Sequence, residues 1–149
     1  MNTLKIMVLL ILINFSALLA EEYQVKKTKE NLVKFTSSTT LLDFDGVTDK
    51  IDGYVFWEGD SILEKSELYF EIDLNSLDTG IGLRNRHMRD NYLETDKYPI
   101  THYTGKLVNA EDISENKVQV TTNGKIFIHG IEKKIIQVFL HLTLFCQSV

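Results

Sequence analysis

Lys65-Ser66-Glu67-Leu68-Tyr69-Phe70-Glu71-Ile72-Asp73-Leu74 is the stretch that decides the fold. Ser66, Leu68, Phe70, Ile72 and Leu74 alternate with Lys65, Glu67, Tyr69, Glu71 and Asp73. Strand side chains point to opposite faces in turn, so one face is apolar and the other wet. That is the pattern of an antiparallel strand solvated on one side.

The same alternation spreads in both directions. Upstream, Ile51 to Trp57 puts Ile51, Gly53, Val55 and Trp57 on one side, and Gly59-Asp60 closes it. Asn31 to Ser37 and Tyr23 to Lys27 read as earlier strands, Thr39 to Asp45 as a weaker one, and Asp45-Gly46 as a turn. Downstream, Thr101, Tyr103, Gly105 and Leu107 share a face, and Ala110 to Asn116 reads as a polar turn. Lys117 to Ile128 is a long strand, His129-Gly130 a tight hairpin, and the last strand runs from Lys133 or Lys134 to about Leu144. Six or seven strands on short turns close into a sandwich or an up-and-down barrel. Gly53, Gly105 and Gly124 inside strands favour a curled sheet over a flat one.

One segment breaks the alternation. Asp78 to Pro99 holds Gly80, Gly82 and the basic cluster Arg84, Arg86, His87 and Arg89. Leu83 to Tyr92 reads as helical, with Leu83 and Met88 packing downward. Long excursions in β proteins serve as binding loops or as plain solvated connections, and both readings stand here. The arginines beside loose glycine backbone could seat an anion. Asp90, Glu94 and Asp96 could equally neutralise them within the protein.

Composition narrows the function. The chain has 149 residues, enough for one domain, and a formal charge of −5. Lys5, the apolar run Ile6 to Phe15 and small residues up to Ala20 describe a secretory signal peptide over residues 1–20, cut after Ala20. The alternative is an uncleaved anchor, although the apolar run is short for a membrane span. Residues 21–149 then form the mature domain, periplasmic or secreted, with no stable membrane span. Its net acidity argues against sequence-independent nucleic-acid binding. The single cysteine, Cys146, excludes an intramolecular disulfide and a cysteine-based metal site.

Catalytic patterns are missing. No serine lies in a Gly-x-Ser-x-Gly setting. His87, His102, His129 and His141 form no HxH or HExxH pair, so neither a metal nor another cofactor is expected. His129 belongs to a turn; His102 and His141 fall on the wet faces. Asp43 with Asp45, and Glu71 with Asp73, read as solvated carboxylates. Gly80-x-Gly82 lacks what a phosphate loop requires.

Asp78-Thr79-Gly80, Arg84, Tyr92-Leu93-Glu94-Thr95-Asp96-Lys97-Tyr98-Pro99 and Tyr103 together resemble the central motif of the YceI family. Gly124-Lys125-Ile126-Phe127-Ile128-His129-Gly130-Ile131-Glu132-Lys133 resembles its second landmark. The resemblance implies an exported all-β protein: an antiparallel, up-and-down, lipocalin-like β-barrel with one short helical insert. It implies a lumen that holds a long isoprenoid or similar fatty-chain amphiphile, quinone- or polyprenyl-like, and a carrier, not an enzyme. Two departures are visible. Asn85 stands where the family usually has an acidic residue. The sequence also stops at Val149, where the family continues with further strands, so the barrel is expected to be incomplete at its C-terminal end.

On this reading Phe35, Val55, Trp57, Leu68 and Phe70 line the lumen, with Ile72, Tyr103, Ile126, Ile128 and Val138. Arg84, Arg86, Arg89 and Tyr92 meet the ligand's polar head. An unclosed edge over Ile135 to Leu144 invites a homodimer. The runner-up is a protein-docking scaffold whose barrel is filled by Trp57, Phe70 and Tyr103. A redox enzyme would need a ligand constellation that the sequence lacks.

Overall fold

The computed structural model describes residues 20–38 and 43–143. Eight strands carry it: β1 (Ala20–Gln24), β2 (Val33–Ser38), β3 (Asp43–Thr48), β4 (Ile51–Glu58), β5 (Glu67–Asp73), β6 (Ile100–Ser114), β7 (Lys117–Ile128) and β8 (Ile131–Thr143). Between β5 and β6 come a 3₁₀ turn (Leu74–Ser76), the helix α1 (Gly82–His87) and a π-helical turn (Met88–Leu93). Six strands form one antiparallel sheet in the order β1-β4-β5-β6-β7-β8, and β2 pairs with β3 as a separate hairpin. The fold is all-β, up-and-down and lipocalin-like. Among the described pairings the six-stranded sheet keeps two edges, β1 and β8.

The alternation in β5 fixes the core. Leu68 is fully buried and lies between Val55 on β4 and Gly105 on β6, and Gly105 faces Gly124 on β7. One residue row along, Phe70, Tyr103 and Ile126 stand abreast. Val55, Trp57, Leu68, Phe70, Leu107 and Val120 pack as one buried cluster on this face. Burying an aliphatic side chain in this way is worth about 1.5–3 kcal/mol. The two glycines let the sheet curl: a Cβ on Gly124 would lie 2.7 Å from the Gly105 Cα and 2.8 Å from the Tyr103 ring. The Tyr103 hydroxyl shares a 2.8 Å hydrogen bond with the buried Thr122.

Several expectations are corrected. Asp45-Gly46 is not a turn but lies within β3, paired with Phe35 and Thr36. Gly46 makes room for the Phe35 ring, which a Cβ there would strike. Ala110 to Asn116 is not a loop: β6 continues to Ser114, and the turn is Glu115-Asn116. A bulge between Leu107 and Asn109 interrupts the ladder, where Ser66 accepts the Leu107 amide at 2.9 Å. β1 lies earlier than the expected Tyr23–Lys27 strand, although Val25 still donates to the Gly53 carbonyl. Residues 1–19, with the expected signal peptide, and Thr39 to Leu42 lie outside the described residues.

The wet face is more ordered than a solvated surface. Tyr54, Tyr69, His102 and Phe127 stack in a row across four strands, with ring centroids 6.1, 5.7 and 5.0 Å apart. His102, expected in solvent, is therefore half-buried between two rings. Tyr69 donates to Glu71 at 2.7 Å, and that bond, with burial, pushes its phenol up to about 12. His141 is exposed, its Nε2 3.2 Å from the Gln119 amide oxygen.

Candidate functional site

The insert leaves and rejoins the sheet at one place. Asp73 pairs with Ile100, and the Leu74 amide donates to the Pro99 carbonyl at 2.8 Å. Asp73 opens the excursion by capping the 3₁₀ turn through the Asn75 amide, which puts the buried Leu74 beneath it.

Polar side chains then lock its first half. Val47 and Asp78 exchange backbone hydrogen bonds at 2.9 Å, which ties the β2–β3 hairpin to the insert. The Asp78 carboxylate takes the Gly80 amide at 2.8 Å, and Gly80 turns at φ +77°, a conformation that favours glycine. Buried Thr79 donates to the Asn85 side-chain oxygen through both its amide, at 2.8 Å, and its hydroxyl, at 2.6 Å. The Asn85 nitrogen donates to Asp78 at 2.7 Å. Arg84 donates to the Thr79 hydroxyl at 2.9 Å and to its carbonyl, and its guanidinium lies 4.4 Å from the Phe44 ring centre. The Asn85 and Gly80 N–H donors, with a contribution from Arg89, hold the Asp78 carboxyl below its usual range. Asn85 therefore replaces a salt bridge by using both ends of its amide, which an acidic residue could not do.

The second half is clamped to the β7–β8 hairpin. After the π turn, Glu94 adopts a left-handed conformation, φ +46°, ψ +55°. Its carboxylate meets Lys97 at 2.6 Å and His129 Nε2 at 2.8 Å. Those two partners, Lys97 first, hold it below the usual glutamate value. The Tyr98 ring stands edge-on to His129 at 5.1 Å and covers Gly130, where a Cβ would lie 2.9 Å from it.

Helical periodicity sorts the basic residues. Arg84, Asn85, Met88 and Arg89 are half-buried, whereas Leu83, Arg86, His87 and Asp90 are exposed. Leu83, expected to pack downward, is 63% exposed. Arg89 reaches the Asn75 carbonyl at 3.5 Å. Among the described ion pairs none joins an arginine to Asp90, Glu94 or Asp96. The four residues assigned to a polar head are thus divided. Arg84 and Arg89 face the body of the protein; Arg86 and Tyr92, the latter 74% exposed, face away.

The residues assigned to a tail are placed as follows. Val55, Trp57, Leu68 and Phe70 are buried together, and Tyr103 packs against them. Ile72, Ile126 and Ile128 are half-buried, and so is Phe35 on the separate hairpin, edge-on to Phe44 at 6.3 Å. The Val138 side chain lies outside the described residues. Two surface recesses, of about 290 and 360 Å³, lie elsewhere: the first under Tyr54 and Tyr69, the second beside Lys27, Asp49 and Ile100. Among the described residues no cluster of His, Cys, Asp and Glu is arranged to hold a metal, and no helix is long and apolar enough to cross a membrane. Sequence reasoning missed Phe44, Thr79 and Glu94 as partners. Asp78-Thr79-Gly80 and His129-Gly130 were visible as motifs, but the helical turn that brings Arg84 and Asn85 back onto Thr79, and the distant pairings of Val47 with Asp78 and Glu94 with His129, were not.

A curled antiparallel sheet with a helical excursion locked between two hairpins defines a lipocalin-like class. The chain belongs to the YceI-like domain family, whose model it matches over residues 23–145. BcnA from Burkholderia cenocepacia shares the fold at 19% identity, with a TM-score of 0.53, over 78% of this chain and 69% of that one. A polyisoprenoid binding domain from Saccharophagus degradans, implicated in plant cell wall breakdown, shares it at 24% identity and a TM-score of 0.55, over 85% and 68%. No curated protein sequence matches the chain.

Proposed function

We propose that this protein is an exported carrier of a long-chain amphiphile, isoprenoid or similar, periplasmic or secreted, that acts by binding and not by catalysis. The observation that carries this reading is the continuous apolar wall of Val55, Trp57, Leu68, Phe70, Leu107 and Val120 across four neighbouring strands. A structural relative named for polyisoprenoid binding supports it. Each ligand methylene buried against such a wall is worth about 0.8 kcal/mol, so a long tail binds well without covalent chemistry. Of the assigned head-group residues, Arg89 is best placed for an anionic head, because Arg84 is already engaged with Thr79 and Phe44.

A second reading, a docking scaffold with a filled interior, is favoured by one observation. Trp57, Leu68 and Phe70 pack against one another, and neither recess reaches them. Native mass spectrometry of the full chain expressed in a bacterial periplasm separates the two. A co-purifying lipid that disappears in Phe70→Asp, with the far-ultraviolet dichroism unchanged, supports the carrier. An empty protein, or unchanged lipid in that variant, counts against it.

A further inference from the structure

We propose that the Tyr103 ring sets the length of ligand tail that this protein accepts. The inference deepens the carrier reading and rests on it. Burial divides the apolar wall along the strands. At the end next to the insert, Ile72 and Ile128 are half-buried, and so are Tyr103 and Ile126 two residues further in. At the far end Trp57, Leu107, Val120 and Thr122 are buried, and Tyr23 stacks on Trp57 at 5.0 Å. The near end therefore keeps apolar surface uncovered, and the far end is filled. Arg89, the residue best placed for a polar head, belongs to the insert and so to the near end.

Gly105 and Gly124 lie between the two ends, directly opposite each other. Two facing glycines leave a trough without side chains of its own. Tyr103 fills it, because its ring folds back over both. A Cβ on Gly105 would lie 3.0 Å from the ring and 3.1 Å from the hydroxyl oxygen, and one on Gly124 2.8 Å from the ring. Beyond the trough, the fully buried Thr122 pins the hydroxyl through their 2.8 Å hydrogen bond. A tail that runs inward over Ile72, Ile128 and Ile126 thus meets the ring where the trough begins, and goes no further unless the ring moves. The trough is one side-chain row long, about 7 Å of strand, which is room for several more methylenes. A methylene adds affinity only where it is buried, so the ring caps the gain from a longer chain.

The test uses the full chain and a series of prenyl alcohols that lengthen by one isoprene unit at a time, with binding read by calorimetry and folding by far-ultraviolet dichroism. Wild-type affinity is expected to rise with each unit and then level off. Tyr103→Ala should level off later and bind the first over-long alcohol about tenfold tighter than the wild type does. Tyr103→Phe keeps the bulk and should keep the limit. Ile126→Phe narrows the track ahead of the ring and should level off earlier. Trp57 is the only tryptophan in the chain and lies past the trough, so an alcohol brominated at its tail end should quench it in Tyr103→Ala and not in the wild type. A folded Tyr103→Ala with the wild-type limit overturns the proposal. So does a wild type that never levels off, a Tyr103→Phe that shifts, or an Ile126→Phe that does not; the last two decide the matter if Tyr103→Ala fails to fold. In each of these cases alcohols still bind and the carrier reading stands. No binding at any length overturns both.

Discussion

Thr79 is the residue on which the first half of the insert turns. Its hydroxyl donates to Asn85 and accepts from Arg84, so one oxygen joins the two residues that position α1. It is 8% exposed. Thr79→Val keeps the shape and removes both hydroxyl bonds, so Arg84 Nε loses its partner while Asn85 Oδ1 keeps only the backbone amide of residue 79. The expected cost is about 1–3 kcal/mol, read as a lower urea midpoint with an unchanged slope. A midpoint within error of the wild type would assign the lock to the backbone. Asn85→Asp should also destabilise at neutral pH, because it sets a second carboxylate against Asp78 in place of an N–H donor. That loss should shrink as the solution is acidified into the carboxylate range.

At the scale of elements, the insert is a strap with a pH-sensitive buckle. Glu94 is held below its ordinary value of 4.5, first by Lys97 and then by His129. A carboxyl that is lower in the folded state contributes fully above its unfolded value and loses that contribution as pH falls through the folded one. Docking of Tyr98 on Gly130 should therefore loosen below about pH 4.5. Glu94→Gln should flatten that acid limb, and amide exchange at Thr95 to Tyr98 measures it. An acid limb unchanged in Glu94→Gln would place the buckle elsewhere. How far the elements were legible follows from burial. β7 was read at its true bounds because Val118 and Val120 alternate with Lys117 and Gln119, and the same period carries on to Ile126 and Ile128. The far half of β6 was not, because beyond Leu107 only Ala110 is even half-buried, and the backbone ladder to β7 holds it without an apolar signature. Gly46 misled for a steric reason: it clears space for Phe35, which no local pattern reveals.

Across the whole molecule, stability converges on one row. Leu68 has no exposed surface and touches a strand on either side, so Leu68→Ala leaves a void that the neighbouring glycines cannot fill. A loss of about 2–5 kcal/mol in chemical denaturation is expected, a large share of the stability of a domain this size. A loss below 1 kcal/mol would mean the wall yields easily. The apolar wall was legible from alternation alone, because period two and burial are the same fact in a one-sided sheet. The sorting of the basic cluster was not, because helical phase separates Arg84 and Arg89 from Arg86, and the sequence shows only that they are neighbours.

The β2–β3 hairpin forms a two-stranded sheet of its own. Its described ties are Val47 with Asp78, Thr48 with Ser76 and Phe44 with Arg84, all to one short stretch of the excursion. Two tempos follow in deuterium exchange: hairpin amides should label long before those of β5 and β7, as a shutter can open while its frame stays shut.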